Sequence, residues 1–410
     1  MQTNLTPEFA STSRGQHAES ILRKCVHCGF CNATCPTYQL LGDELDGPRG
    51  RIYQIKLVLE GAPPTKETQR HLDRCLTCRS CETTCPSGVR YSELLEIGRE
   101  IIEENVPRDR QDRWLRKALT TVIPNPTLFK TLMSLGRLVR PMLPGSIKSK
   151  VPPKAPDTAV TSISSPPLDR KMVMLRGCAQ PTLTPNTNIM AKNVLQKLGI
   201  EAIELEAEGC CGAVSAHTSN SSQGREAAKT LIDLWLSHID QGVEGFIVTA
   251  SGCGVMVKDY PVLFRDDPIY LEKAKKISEK TFDLSEIVLE AMKQTGLRNK
   301  PDTSAGKVAF HAPCTLQHGQ KIKGQVENIL SLRGYEVCQI RNGHLCCGSA
   351  GTYSILQEPI AVQLRENKWN SLVEESPDLI CTANVGCQTW LNGHKKANKN
   401  PEVKHWIELV

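Results

Sequence analysis

Cysteine is the residue of this sequence whose abundance and spacing could support chemistry. Eighteen of the 410 residues are cysteine, eight of them between Cys25 and Cys85 and ten between Cys178 and Cys387. The N-terminus has no apolar segment of the kind that directs secretion. We therefore expect a cytoplasmic chain in a reducing compartment, where cysteines bind metals or act in redox chemistry rather than form disulfides.

The first group contains the spacing C-x2-C-x2-C-x3-C-P twice. This spacing is typical of bacterial ferredoxins, in which three thiolates of one motif and the fourth of the other hold each cubane cluster. The predicted ligands of the first [4Fe-4S] cluster are Cys25, Cys28, Cys31 and Cys85. The predicted ligands of the second are Cys75, Cys78, Cys81 and Cys35. A pair of zinc sites is the alternative, but zinc favours paired C-x2-C units.

The second group lies in an internal repeat. Cys178 and Cys210 are 32 positions apart, as are Cys314 and Cys346. In each copy an apolar, strand-like segment ends in a cysteine, a helical segment follows, and further strand-like segments lead to Cys-Cys-Gly and to a distal cysteine. This alternation predicts a duplicated α/β unit with a mainly parallel sheet. Ligands of such sheets gather at the carboxyl ends of the strands, where these cysteines fall.

The repeated cysteines are candidates for a further cluster or metal site, with buried structural cysteine as the alternative. The eight positions are Cys178, Cys210, Cys211, Cys253, Cys314, Cys346, Cys347 and Cys387. Cys338 and Cys381 break the repeat, so we interpret them as ordinary strand residues. The nearby histidines are interpreted as structural rather than as ligands; they are His217, His311, His318 and His344.

These patterns predict a multidomain fold, an all-α ferredoxin-like N-terminal domain followed by a duplicated α/β cysteine-rich domain. Ile52, Ile55, Val58 and Leu59 have helical spacing between the two motifs. The predicted divisions are a helical ferredoxin-type domain over 1–107, a basic helical segment and Pro/Ser-rich linker over 108–170, and cysteine-rich repeats over 171–300 and 301–410. Within the second division, 145–169 is the linker and 127–143 is an amphipathic helix. We expect that helix to pack on its own domain or on a partner subunit, with a membrane surface as the alternative.

Composition excludes several classes of function. The net charge of +6 is modest for this length and does not indicate nucleic-acid binding. No run of about 18 apolar residues predicts a transmembrane helix. No dinucleotide fingerprint or P-loop is present, so FAD is not expected on this chain. No catalytic residue is predicted.

The two ferredoxin motifs, the segment GPRGRI and the Cys-Cys-Gly repeats together resemble a family of iron–sulfur proteins. It includes iron–sulfur subunits of glycolate oxidase, anaerobic glycerol-3-phosphate dehydrogenase and lactate utilisation complexes, and heterodisulfide reductase subunits. The fuller family pattern ends each repeat in C-x2-C, whereas here only Cys253 and Cys387 match. This departure leaves open whether the repeats hold one centre, two or none.

The resemblance is strongest to glycolate oxidase. It implies an electron-transfer subunit of a multi-subunit complex with two [4Fe-4S] clusters. Electrons would pass from an FAD-binding subunit (GlcD-like), which oxidises glycolate to glyoxylate, towards a membrane quinone. A companion subunit (GlcE-like) and peripheral contact with the inner face of the cytoplasmic membrane are also implied. Alternatives are the same role with lactate or glycerol 3-phosphate, or a heterodisulfide-reductase-like catalytic subunit.

Overall fold

The computed structural model describes residues 1–142, 151–153, 168, 170–218, 220–295, 305–394 and 401–410. Residues 1–142 form helices and turns, with no strand in that described segment. Its α-helices are α1 (Pro7–Ala10), α2 (Ser13–Lys24), α3 (Pro36–Leu41), α4 (Pro48–Leu59), α5 (Lys66–Asp73), α6 (Ser80–Thr84), α7 (Tyr91–Asn105), α8 (Arg110–Val122) and α9 (Pro126–Val139). Short 3₁₀ turns occupy Phe30–Thr34, Glu44–Asp46 and Arg140–Met142.

Helix α4 lies between the two ferredoxin motifs, as the sequence predicts. Pro48 occupies its first turn, where a missing N–H is tolerated. The four residues whose helical spacing predicted it are all buried, and they are Ile52, Ile55, Val58 and Leu59. Helix α7 packs closely against α4 because Gly98 has no side chain: a Cβ there would lie 2.6 Å from Cγ1 of Ile55.

The Arg51 side chain is fully buried at the centre of a polar network. Its Nε donates to the carbonyl of His71 at 2.7 Å, and its terminal nitrogens donate to the hydroxyl of Thr37 at 3.2 Å. Oδ1 of Asp46 lies 3.4 Å from Nη2 of Arg51, while Oδ2 accepts from Nη1 of Arg74 at 2.7 Å. A buried charge without partners is costly. The network therefore holds α3, α4, α5 and the intervening turn in one arrangement.

The rest of the described chain contains two parallel sheets of four strands each. The strands are β1 (Arg170–Met174), β2 (Ile200–Ile203), β3 (Gly245–Val248), β4 (Thr281–Asp283), β5 (Lys307–His311), β6 (Glu336–Val337), β7 (Leu379–Thr382) and β8 (Val403–His405). Their order is β2-β1-β3-β4 in the first repeat and β6-β5-β7-β8 in the second. The prediction of a duplicated α/β unit with parallel strands is confirmed. The fourth strand of each sheet was not predicted, because three residues carry too little pattern.

The helices of the repeats connect these strands. They are α10 (Gln180–Leu183), α11 (Asn186–Lys197), α12 (Ala213–His217), α13 (Ser221–Ile239), α14 (Ser251–Lys258), α15 (Tyr260–Leu263), α16 (Pro268–Glu279), α17 (Leu284–Thr295), α18 (Gln325–Leu332), α19 (Tyr353–Leu356), α20 (Glu358–Val373) and α21 (Val385–Asn392). A π-helical turn spans Thr315–Gly319, and a 3₁₀ turn spans Trp406–Leu409. Helices α14 and α21 start just after β3 and β7, so Cys253 and Cys387 lie in their first turns.

The two repeats share one hydrophobic core and a polar seam. Met174 of the first sheet and Phe310 of the second belong to the same buried cluster. Across the seam the N–H of Ser251 donates to the carbonyl of Ala383 at 3.1 Å. The duplicated units are therefore packed against each other.

The second ferredoxin motif contacts both repeats. Arg79 forms an ion pair with Asp259 of the first repeat. Oγ1 of Thr83 lies 2.8 Å from Nδ1 of His318 in the second repeat. These contacts place helix α6 at the junction of the three units.

Helix α9 covers most of the segment predicted as an amphipathic helix, but its leucine face is left exposed by the described residues. Leu135 and Leu138 are 55% and 78% exposed. Residue 143 lies outside the described residues. The predicted boundary at 300/301 also lies outside the described residues. So does the predicted linker 145–169, apart from residues 151–153 and 168.

Replacing Arg51 should strongly destabilise the helical region. Arg51→Met removes one of the positive charges that compensate the buried carboxylate of Asp46. Loss of one partner of a buried ion pair costs about 3–5 kcal/mol of folding stability. Arg49→Met, in the same helix, removes a partly exposed pair with Glu44 and should cost about 0–1 kcal/mol. Thermal unfolding of the two variants measures the difference. Equal changes in the unfolding temperature would contradict the assigned role of Arg51.

Candidate metal centres

One small cavity collects thiols from both ferredoxin motifs. The cysteines that line it, apart from Cys81 of the neighbouring site, are Cys25, Cys28, Cys31 and Cys85. Cys25 directly follows α2, and Cys85 directly follows α6. Between Cys28 and Cys31 the chain turns at Gly29, whose φ is +88°. The structure thus brings together the four cysteines predicted for the first cluster.

A second cavity collects the complementary set. The cysteines that line it are Cys35, Cys75, Cys78 and Cys81. Cys35 directly precedes α3, and Pro36 is the first residue of that helix. Arg79 occupies the turn position that Gly29 has in the first motif and also has a left-handed φ, of 60°. Its ion pair with Asp259 holds this uncommon conformation.

Burial of these thiols makes the sites suitable for metal. Desolvation and the neighbouring thiol of Cys25 raise the pKa of Cys31 to about 11. Desolvation also raises the pKa of Cys78 and of Cys81 well above the ordinary value for a thiol. Several thiolates cannot ionise together in such a space without a cation, and bound iron supplies that charge. The donor set therefore fits the iron–sulfur clusters that the ferredoxin spacing implies.

The second cavity has two further polar neighbours. The buried guanidinium of Arg51 lines it. The hydroxyl of Tyr91 donates to Sγ of Cys75 at 3.6 Å. Both groups stabilise negative charge on the thiolates, since a fixed cation and a hydrogen bond favour the ionised form. The spacing of cysteines did not identify these residues, although Arg51 belongs to the quoted segment GPRGRI.

The first repeat brings its four cysteines into a row. The thiols interact in order, Cys178 with Cys210, Cys210 with Cys211, and Cys211 with Cys253. The interaction with Cys210, together with burial, raises the pKa of Cys178, while the thiols of Cys178 and Cys211 lower the pKa of Cys210. The two neighbouring thiols therefore favour a thiolate at Cys210.

The second repeat has the same arrangement with one addition. Sγ of Cys314 lies 3.9 Å from Sγ of Cys346, and the thiol of Cys347 interacts with those of Cys346 and Cys387. The added group is His311, whose ring lies with Cys347 and Cys387. Desolvation lowers the pKa of His311 to about 3, so its imidazole is neutral.

The Cys-Cys-Gly loops have matching geometry. The N–H of Gly212 donates to Sγ of Cys210 at 3.4 Å, and the N–H of Gly348 donates to Sγ of Cys346 at 3.4 Å. Both glycines have left-handed backbones, with φ of +90° and +86°. A Cβ at Gly212 would lie 2.5 Å from the carbonyl oxygen of Gly224. Only glycine fits this turn, because both the conformation and the space exclude a side chain.

A central cavity of about 420 Å³ borders the second ferredoxin site and both repeats. It lies between the helical region and the two repeats. Cys78 of the second ferredoxin site lines it together with Cys178 and Cys253 of the first repeat, and with Cys314 and Cys387 of the second. Cys78 also packs in the same buried cluster as Cys314. The thiol sites are thus contiguous across domain boundaries.

The remaining candidates differ in their surroundings, and Cys338 packs in the same buried cluster as Cys347 and Cys387. Cys381 lies in β7 and packs in the core shared by the two sheets, where no repeated cysteine is found among the described residues. Cys338 follows β6 and is buried. His318 has partners at both ring nitrogens, Thr83 and the carbonyl of His344. His217 faces the central cavity, 3.7 Å from Glu96.

None of the helices in the described part of the chain is both long enough and apolar enough to cross a bilayer.

Two family models match the chain. The 4Fe-4S dicluster domain matches residues 21–89. The cysteine-rich domain matches twice, at residues 172–258 and 308–392.

Known relatives cover the whole chain. The glycolate oxidase iron–sulfur subunit of Escherichia coli (strain K12) is 49% identical over 100% of this chain and 98% of its own length. A probable glycolate oxidase iron–sulfur subunit of Bacillus subtilis (strain 168) is 30% identical over 90% and 88%. Lactate utilization protein A of Bacillus cytotoxicus is 28% identical over 58% of this chain and 98% of that protein.

A crystal structure of a hypothetical protein from Helicobacter pylori has a similar fold. Its TM-score is 0.52 at 12% identity, with 97% of this chain and 72% of that one covered. At this identity the similarity concerns the fold alone.

Alanine at Gly212 should destabilise the first repeat and disorder its cysteine row. Gly199→Ala is the control, because Gly199 has a similar φ of +80° but no neighbouring atom within 4 Å of a Cβ. The control should cost about 1 kcal/mol from backbone strain alone, and Gly212→Ala should cost clearly more. Thermal unfolding and thiol accessibility to a maleimide reagent measure both effects. Equal costs would contradict the close-approach role.

Proposed function

The chain belongs to the family of glycolate oxidase iron–sulfur subunits, and we propose that it carries electrons within a multi-subunit glycolate-oxidising complex. The electrons come from a subunit that binds FAD and oxidises glycolate to glyoxylate, and they pass towards a membrane quinone. The observation that carries the proposal is the contiguity of the thiol sites: Cys81 borders the first and second cavities, and Cys78 borders the second and the central one.

We assign the two ferredoxin cavities to two [4Fe-4S] clusters with crossed ligation. The proposed ligands of one are Cys25, Cys28, Cys31 and Cys85. Those of the other are Cys35, Cys75, Cys78 and Cys81. Support comes from the way the cavities divide the thiols, since Cys85 borders the first and Cys35 the second. When bound, such clusters accept and release single electrons. They can therefore take, one at a time, the two electrons that a flavin receives when it oxidises an alcohol.

The chain's own residues position these ligands and compensate their charge. Arg51 places a buried positive charge beside the second site, and Tyr91 donates a hydrogen bond to Cys75. We also propose that the four-cysteine rows of the repeats hold a further cluster or metal. Their support is the convergence of buried thiols at the carboxyl ends of parallel strands.

We propose that the exposed leucine face of α9 contacts a partner subunit of the complex, which would include the FAD-binding subunit and a companion. Two of the three basic residues of α9 and the following turn are directed towards this chain, while Lys130 is exposed: Arg137 donates to the carbonyl of Thr182 at 2.9 Å, and Arg140 donates to that of Val151 at 2.8 Å. A helix that lies on an anionic membrane would direct such residues outward. The contacts therefore favour a protein surface over a lipid one.

Removal of Cys85 should disrupt the cluster whose other ligands lie in the opposite motif. Cys85→Ser is expected to lose about four of about eight ferredoxin-type irons and the EPR signal of one reduced cluster. Cys35→Ser should remove the other signal. Cys381→Ser serves as a control that changes neither. Cys28→Ser, which affects the first cluster under either scheme, identifies the two signals, and crossed ligation requires Cys85→Ser to remove the same signal as Cys28→Ser. Ligation within each motif would be indicated if Cys85→Ser instead removed the signal of the cluster held by Cys75, Cys78 and Cys81.

Electron transfer is tested with the complex purified together with its partner subunits under anaerobic conditions. Glycolate should reduce the clusters, as seen by low-temperature EPR, and should support reduction of a quinone analogue. In the Cys85→Ser complex, glycolate should still bleach the flavin while quinone reduction falls at least tenfold. Lactate and glycerol 3-phosphate are the substrate controls. Unchanged quinone reduction in the variant would refute the proposed relay.

A further inference from the structure

The second repeat contains a buried histidine whose ring nitrogen faces its cysteine row. His311 ends strand β5, only three residues before Cys314, and it is 2% exposed. Its ligand nitrogen and the Sγ atoms of Cys347 and Cys387 all lie within 4.8 Å of one another. Three donor atoms that are this close together and this buried have the geometry of a metal site rather than that of separate core residues.

Hydrogen bonding to Thr382 determines which ring nitrogen faces the thiols. The Thr382 hydroxyl donates to the carbonyl oxygen of His311 at 3.0 Å. Its hydrogen is therefore used, so at the 3.2 Å contact with Nδ1 of His311 the hydroxyl oxygen must accept. Nδ1 thus carries the proton, and Nε2 carries the free lone pair.

Nε2 of His311 has no hydrogen-bond partner, although it is fully buried. An unpaired buried nitrogen is costly, and such groups in native proteins call for an explanation. Metal-bound histidines have this arrangement, with one ring nitrogen on the metal and the other N–H held by an oxygen acceptor. A bound metal would satisfy the free lone pair.

The first repeat lacks both members of this pair. His311 pairs with Thr382 across the second sheet. In the first sheet Met174 pairs with Ile247, and the next residues along are Leu175 and Val248. Aliphatic side chains therefore stand where the second repeat has the imidazole and its hydroxyl partner. The second repeat has five donor atoms, and the first has four.

We propose that the second repeat holds a metal centre with mixed thiolate and imidazole ligation, in which Nε2 of His311 is a ligand together with Cys347 and Cys387. The metal is one that accepts both donors, an iron of a cluster or a zinc ion. Metal-to-ligand distances of about 2.0–2.3 Å require only a small closure of the observed site. The first repeat, without this nitrogen, binds metal through thiolates alone. The inference does not depend on the electron-transfer function.

The test compares metal content and nitrogen coordination in the full-length chain and three variants. His311→Leu introduces the residue that the first repeat has at this place. His311→Cys replaces one donor by another, and Leu175→Ile is the matched control in the first repeat. Each protein is purified anaerobically for iron, zinc and sulfide analysis. ESEEM with ¹⁵N-histidine labelling reports nitrogen on iron, and EXAFS at the zinc edge reports nitrogen on zinc.

His311→Leu should lose the metal of one centre and the nitrogen signature, while the EPR signals of the two ferredoxin-type clusters remain. His311→Cys should keep the metal but lose the nitrogen signature, which a merely structural histidine would not produce. Leu175→Ile should change neither. The proposal is overturned if the unaltered chain has no histidine nitrogen on iron or zinc. It is likewise overturned if His311→Leu keeps both its metal content and its spectra. If His311→Leu does not fold, the unaltered chain and His311→Cys still decide the question.

Discussion

The convergence of thiols from distant segments into sites that exclude water is the constraint on which this structure depends. Thiolates repel one another, and burial makes each harder to ionise. Desolvation accordingly raises the pKa of Cys78 and Cys81 well above the ordinary thiol value. Such sites become favourable when a cation balances the charge, so folding and metal binding are coupled. The cysteines lie at or near the ends of helices and strands, where segments from different parts of the chain meet.

Each level of the fold serves this convergence. In the helical region the buried pair of Arg51 and Asp46 holds the segments that carry Cys35 and Cys75. In the repeats, parallel strands deliver cysteines to the same edge, and Gly212 and Gly348 allow the adjacent cysteine pairs to approach neighbouring backbone. Arg79 adopts a left-handed conformation beside Cys78 and pairs with Asp259 of the first repeat. That contact couples the geometry of the second ferredoxin site to the docking of the repeats.

Duplication has not made the two repeats equivalent. They share strand order, register and the Cys-Cys-Gly turn, yet Leu175 and Val248 stand where His311 and Thr382 stand in the second copy. The second copy also lies against Cys78 through Cys314. Each difference changes the chemistry available at one site without changing the fold around it, since the strands pair in the same register in both copies.

Much of this protein was determined by local patterns in the sequence. The cysteine spacing identified the ferredoxin motifs and the repeat, alternating apolar segments predicted the parallel sheets, and helical spacing located α4, because such patterns depend on neighbours along the chain. The three-residue strands β4 and β8 carry too little pattern to be predicted. The partners of Arg51, the exposure of the leucines on α9 and the position of His311 beside Cys347 and Cys387 were decided only by the tertiary structure. The physical reason is that burial and charge compensation depend on segments far apart in sequence, which meet only when the chain is packed.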